Sequence, residues 1–211
     1  MQLTLLQSLS LFKADVNRRL CLEGKPINAF TVAGVIYKRG VVSVLIYRIK
    51  RYLYLKDIKL LKVLIWLLRH PEFHYCHNEL DPRAEIGAGL VISDFGGLAL
   101  SYANIIGDNC TFMGKATPTL GAMEGVDIEY DRIRIGDHCV IGHNVKIINA
   151  INIASGAQIT ANAVLLNSIN KVGSLVGGFP ATTQAIVPLE VVMSWSPLLS
   201  QHIMSNEHAT N

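Results

Sequence analysis

The side chains able to exchange a proton near neutral pH are few in this chain of 211 residues. The segment HPEFHYCH places His70, His74 and His77 at spacings of four and three. That spacing suits one face of a helix, but Pro71 resists helix continuation, so the histidines are read as a solvated junction and not as a metal site. His138 and His143, in IGDHCVIGHNV, sit far enough apart to point in different directions; either can approach a groove. His202 and His208 belong to a polar tail. In VISDFGGLAL (91–100) a single carboxylate, Asp94, stands in a glycine-rich run. An exposed aspartate titrates at about 3.9 and is a weak acceptor at neutral pH. Burial, or a second carboxylate such as Glu79, raises that value towards the range of a general base. Asp also caps backbone N–H groups in turns, which is the plainer reading. Four further acids, Glu124, Asp127, Glu129 and Asp131, crowd one stretch, AMEGVDIEYDR, where they repel anionic ligands or simply keep a loop soluble. The four cysteines are scattered without a C-x-x-C pair, which argues for reduced, buried thiols and against zinc.

The elements that must hold these groups fall into two halves. Up to about residue 78, apolar residues recur at helical spacing: Val35, Val42, Leu45, Ile49 and Leu53 in one stripe, Leu60, Leu61, Leu64 and Leu68 in another. Gly24, Pro26, Gly34 and Gly40 punctuate the early part, and Lys56-Asp57 reads as a break between helices. Residues 38–69 hold nine Lys and Arg against Asp57 alone, a balance of +8 within a net charge of +3. With Tyr37, Tyr47, Tyr52, Tyr54 and Trp66 interleaved, such a segment can lie on an anionic membrane surface; burial of the apolar stripe with lysines in solvent is the alternative. No reading motif for nucleic acid accompanies the charge.

From Ile86 the period becomes six: IGAGLV, ISDFGG, LALSYA, then IGDNCT and FMGKAT, and later IGDHCV, IGHNVK, IINAIN, IASGAQ, ITANAV. An aliphatic residue opens almost every unit and a small residue often follows. A period of six is neither helical nor strand-like and marks a parallel β-helix, a triangular prism in which each unit gives one flat face and one corner. The expected organisation is an α-helical region over 1–78, the prism over 79–188, and a C-terminal helix and tail over 189–211. Half the chain is apolar and 17% is charged, ample for a core. The N-terminus lacks signal-peptide features, and no apolar run approaches the roughly 20 residues of a membrane span, so a cytoplasmic protein is expected, with the inner membrane face as a further place of work.

The motifs from Glu79 to Ala181 resemble the serine acetyltransferase branch of the hexapeptide-repeat acyltransferases. ELDPRAEIGAGL is similar to the entry into the first coil, the two-residue slip after LALSYA and the TLG of 119–121 match in place, and VGGFPA resembles the family's G-x-P-A element. The short helical half resembles relatives that acetylate surface polysaccharides. The resemblance implies a left-handed parallel β-helix preceded by helices, a homotrimer with its sites in the grooves between prisms, acetyl-CoA as donor, no metal, and an alcohol as acceptor. It implies a histidine base backed by a carboxylate, with backbone N–H groups for the oxyanion.

Three positions depart from that pattern. The base falls on Asp94, a second family histidine falls on Arg132, and Thr182-Thr183 follow G-x-P-A where a basic residue usually stands. The supporting carboxylate is kept as Glu79. The expected catalytic set is therefore Asp94, Glu79, Arg132 and His143, with Gly121, Gly177, Gly178, Pro180 and Ala181 towards the donor. The leading expectation is an O-acetyltransferase acting on a sugar or polysaccharide precursor; a non-catalytic assembly subunit and a serine O-acetyltransferase are the alternatives.

Overall fold

The computed structural model describes residues 3–56, 59–120, 131–188 and 190. Gly121, most of the acidic loop, the expected C-terminal helix and tail, His202 and His208 lie outside the described residues. Helix α1 (Leu5–Leu22) starts at a capping box: Thr4 Oγ1 accepts from Gln7 N at 3.2 Å and Gln7 Oε1 accepts from Thr4 N at 2.8 Å. Asn28 and Thr31 form the same device for α2 (Ala29–Val35). Helix α3 (Arg39–Leu55) ends where Lys56-Asp57 predicts a break, and α4 (Lys59–Pro71) follows. Pro71, however, does not end the winding. The chain continues directly through a π-helical turn, Glu72–Cys76, with Pro71 at its N-cap. The four-residue spacing of His70 and His74 thus survives on one side of a continuous helical segment.

The prism begins at Glu79. Its first coil is β1 (Glu79–Leu80), β2 (Glu85–Ile86) and β3 (Val91–Ile92), one strand on each face. The second coil adds β4 (Ala99–Leu100), β5 (Asn104–Ile106) and β6 (Thr111–Phe112); the third, β7 (Thr117–Thr119), β8 (Ile133–Ile135) and β9 (Val140–Ile141). The fourth comprises β10 (Lys146–Ile148), β11 (Asn152–Ile153) and β12 (Gln158–Ile159), and β13 (Val164–Leu165) opens the last. Strands stack in parallel register, so inward side chains form columns: Ile86, Ile106, Ile135 and Ile153 on one face, Ile92, Phe112, Ile141, Ile159 and Val176 on another, all buried. Each such side chain contributes about 1.5–3 kcal/mol by leaving water. Cys110 and Cys139 occupy neighbouring rungs of a third column, both fully buried and unoxidised.

Small residues follow the aliphatic openers for a steric reason. At one corner, Asp108 Oδ1 accepts from Ala88 N at 2.7 Å, Asp137 Oδ1 from Asp108 N at 2.8 Å, and Ser155 Oγ from Asp137 N at 3.0 Å. This polar ladder runs so close to the backbone that a Cβ on Gly107 would lie 2.2 Å from Asp137 Oδ1.

The direction of the ladder bonds explains the basic segment. On the flat faces each coil donates its N–H groups to the carbonyls of the next, as in Val91 N to Cys110 O and Thr111 N to Cys139 O. The carbonyls of the first coil therefore have no coil beneath them. Helices α1 and α3 supply the missing donors. Lys50 reaches Leu80 O at 2.6 Å, Arg51 reaches Pro82 O, Tyr47 reaches Ala84 O, and Arg48 reaches Ile86 O and Gly87 O. From α1, Arg18 reaches Gly89 O at 2.7 Å and Arg19 reaches Ile92 O at 2.9 Å. Arg48 is also held by Asp15 and Lys50 by Glu72, in two ion pairs shut away from solvent. Part of the charge that suggested a membrane surface is turned inward: Arg48 and Lys50 are buried and Arg51 half-buried against the sheet edge, while Arg39, Lys56, Lys62 and Arg69 stay exposed. At the far end, β14 (Ser174–Gly178) is closed by the antiparallel β15 (Ala181–Ile186). Among the described residues, no single helix is long and apolar enough to cross a membrane.

Candidate active site

The prism corner that carries Asp94 differs from those above it. From Ile92 to Leu98 the first coil spends six steps where Phe112 to Ala116 and Ile141 to Val145 spend four, so Ser93-Asp94-Phe95 bulges outward. The bulge is anchored. Asp94 Oδ2 pairs with Arg19 at 2.7 Å and Oδ1 accepts from Gly40 N at 3.0 Å. Gly40 must be glycine, because a Cβ there would lie 2.0 Å from Ile92 O. Both oxygens of Asp94 are thus spent tying α1 and α3 to the prism, the capping role its residue type favours.

The other expected residues do not gather around it within one chain. Glu79 Oε1 pairs with Arg69 at 2.5 Å on the third face. Arg132 bonds Glu85 at 2.7 Å and Tyr102 O at 3.0 Å, and that guanidinium holds the Glu85 carboxyl below its usual range. His143 stands at the same corner as the bulge, in the column of Gly114, with Nδ1 3.3 Å from Met113 O and its ring edge-on to Phe95 at 6.3 Å. His138 belongs to a different corner, where burial pushes its imidazole's affinity for a proton down, against the pull of Asp137 and with the help of Arg18. Gly177, Gly178, Pro180 and Ala181 form the turn that closes the last coil, with Gly178 paired to Ala181. Gly178 takes φ 99°, a conformation open to glycine, and a Cβ on Gly177 would lie 2.3 Å from Thr160 Oγ1.

Sequence reasoning missed a cavity of about 310 Å³ where α4 and the π turn meet the start of the prism. Trp66 and Phe73 contribute apolar walls, His70 and His74 their rings, and Arg69, Asn78 and Glu79 the polar groups. The two imidazoles stack at 5.0 Å with 23° between planes, while Trp66 and Phe73 meet them edge-on. The signal was the four-residue histidine spacing; Pro71 concealed it. Beneath lies Glu72, which burial raises to about 7 even though Lys50 pulls the other way. Among the described residues, no cluster of three or more metal-ligating side chains occurs.

A prism of six-residue units capped by helices, with a bulged corner and a carboxylate at its entry, defines a hexapeptide-repeat protein. No family model matches the chain. The serine acetyltransferase of Staphylococcus xylosus is 30% identical over 165 residues, covering 78% of this chain and 73% of that protein. Serine acetyltransferase 4 of Arabidopsis thaliana is 26% identical over 149 residues, 71% of this chain but only 40% of that longer one. Among solved structures, the Neisseria gonorrhoeae serine acetyltransferase in complex with serine superposes with a TM-score of 0.71 at 26% identity, over 85% of this chain and 70% of that one. The Brucella abortus serine acetyltransferase in complex with coenzyme A gives a TM-score of 0.72 at 20% identity, over 85% and 68%. The chain belongs to the serine acetyltransferase family, enzymes that transfer acyl groups from coenzyme A, and its prism is of the left-handed kind that these structures share.

That membership overturns the expectation of a sugar acceptor in surface-polysaccharide synthesis. The expectation drew in part on the short helical half, in which α1 and α3 serve to cap the first coil.

Proposed function

We propose that the protein is an acetyl-CoA-dependent serine O-acetyltransferase. The observation that carries this reading is the similarity to the Staphylococcus xylosus enzyme across nearly four-fifths of this chain and three-quarters of that one. In the reaction the serine hydroxyl oxygen attacks the thioester carbon, the carbon–sulfur bond breaks, and coenzyme A leaves as the thiol, taking up the proton that the hydroxyl gives to a base. Backbone N–H groups stabilise the oxyanion formed on the way. The acceptor's proton must pass to a basic side chain, and Asp94, tied to Arg19 and to Gly40 N, serves the helix–prism junction instead. The tight turn at Gly177, Gly178, Pro180 and Ala181 lies where the family resemblance puts the donor.

We infer further that the working form is a homotrimer, as the hexapeptide-repeat resemblance implies, and that it acts in the cytoplasm. All four cysteines are free, which suits a reducing compartment. The test is release of free thiol from acetyl-CoA with and without L-serine. Release that saturates with L-serine supports the reading. Thiol release indifferent to serine, or none at millimolar serine, sinks it.

A further inference from the structure

We propose that the outer face of α4 and the π turn is a docking surface for an anionic membrane. The helix lies flat in the interfacial layer, with its exposed apolar side chains among the acyl chains and its cations against acidic headgroups. Such docking is independent of which acceptor the enzyme uses, and it employs the part of the basic segment that does not cap the first coil.

The face is apolar where a helix in water is ordinarily polar. Helix α4 packs mainly on α3 and the π turn, and Ile65 and Leu68 are half-buried. Val63, Trp66, Leu67 and Phe73, in contrast, keep between 51% and 61% of their surface in solvent. Val63, Trp66, Leu67 and His70 follow the i, i+3, i+4, i+7 spacing of one helical face. The edge-on contacts of Trp66 with His70 and of Phe73 with His74, and the stacking of the two imidazoles, carry that surface on into the π turn. A continuous exposed apolar surface of this kind marks a place of interaction. Its surroundings are basic. Helix α4 holds Lys59, Lys62 and Arg69 and no acid, and Lys62 and Arg69, seven residues apart, share one side. Lys56 stands exposed just before the helix. Arg69 shares its charge with Glu79, yet the four cations from 56 to 71 still outnumber Asp57 and Glu79. Lysine and arginine on one side with tryptophan and leucine on the other is the pattern of a helix that rests in a membrane interface. Tyr54, exposed at the adjoining end of α3, adds a second aromatic group of the type that favours the headgroup level.

At 1.5 Å per residue the 13 residues of α4 reach about 20 Å, short of the roughly 30 Å hydrocarbon core, so the helix lies on a bilayer and does not cross it. A second copy of this chain fits the face less well. Pairing the face with itself would set Lys62 and Arg69 against their own counterparts, with no acid on α4 to meet them. A bilayer with acidic headgroups supplies both things the face lacks, an apolar phase and negative charge.

The test is co-sedimentation of the full chain with vesicles of phosphatidylcholine alone and of phosphatidylcholine with about one-third phosphatidylglycerol. The parent should pellet with the anionic vesicles and bind the neutral ones roughly tenfold more weakly, the difference shrinking as salt is raised. Trp66→Ser/Leu67→Ser should weaken binding to anionic vesicles by about tenfold or more, and Lys56→Gln/Lys62→Gln by about 20-fold, at roughly fivefold per lysine. All four side chains are exposed, so the variants should fold, and melting temperatures check that. A parent that stays in the supernatant at millimolar anionic lipid overturns the proposal, as does parent-like pelleting of either folded variant. Equal pelleting with both vesicle types overturns the requirement for negative charge. If the parent stays in solution and Trp66→Ser/Leu67→Ser sediments, without lipid, at a lower mass than the parent, the face is instead a contact between copies of this chain.

Discussion

At the scale of residues, two of the perturbed carboxylates of the helical region, Glu23 and Glu72, pull stability in opposite directions with pH. Glu23 sits among Lys25, Lys38 and Arg19; burial opposes its ionisation, but their hydrogen bonds outweigh it and hold the group down at about 2. Its folded value lies below the ordinary 4.5, so its contribution is complete above about 4.5 and is lost as pH falls towards 2. Glu72 is the reverse: with a folded value near 7, the native state binds the proton more tightly than the unfolded chain, and this site subtracts stability as pH rises from about 4.5 to about 7. Urea titrations across that range should show Glu23→Gln flattening the acid limb without altering the limb between 4.5 and 7. For Asp94 the expectation is structural. Asp94→Asn should cost roughly 1–2 kcal/mol through the weakened Arg19 bond, while kcat for acetyl transfer stays within about twofold. A collapse of kcat with unchanged stability would return Asp94 to the chemistry. The sequence alone made Asp94 conspicuous because it stands where a base is expected; only the contacts to Gly40 and Arg19, residues 54 and 75 positions away, reveal its occupation.

At the scale of elements, the capping of the first coil is the feature least visible in the sequence. Counting charge over residues 38–69 yields a strongly basic segment but not its acceptors, and backbone carbonyls of a sheet edge leave no trace in composition. The buried Arg48–Asp15 pair is the keystone of that cap. Arg48→Ala should destabilise the protein by about 3–5 kcal/mol, since it strands the Asp15 charge and frees two carbonyls, as chemical denaturation would measure. Gly40→Ala should be equally disruptive, because its Cβ has no space against Ile92 O. If either variant matches the parent midpoint, the cap is not what holds the helices to the prism. The helices themselves were legible, including the break after α3. The stretch after His70 was not, because proline's rule describes a straight α-helix and the chain answers it with a π turn.

For the whole molecule, the prism was the part most openly written in the sequence. A six-residue repeat of aliphatic openers and small followers has one packing solution, and the columns of isoleucine deliver it. The acceptor was not legible, because the flat faces and corners are common to enzymes with different acceptors, and helix length misled. Assembly belongs to this scale too: sedimentation of the 23.1 kDa chain should give a species of three times that mass, and a monomer at micromolar concentration would contradict the trimer.

The most direct measurement is mass spectrometry of L-serine after incubation with the protein and acetyl-CoA. The account predicts serine one acetyl group heavier, formed in step with free coenzyme A and absent when the protein is omitted. Unmodified serine beside intact acetyl-CoA, from protein shown to be folded, would contradict it.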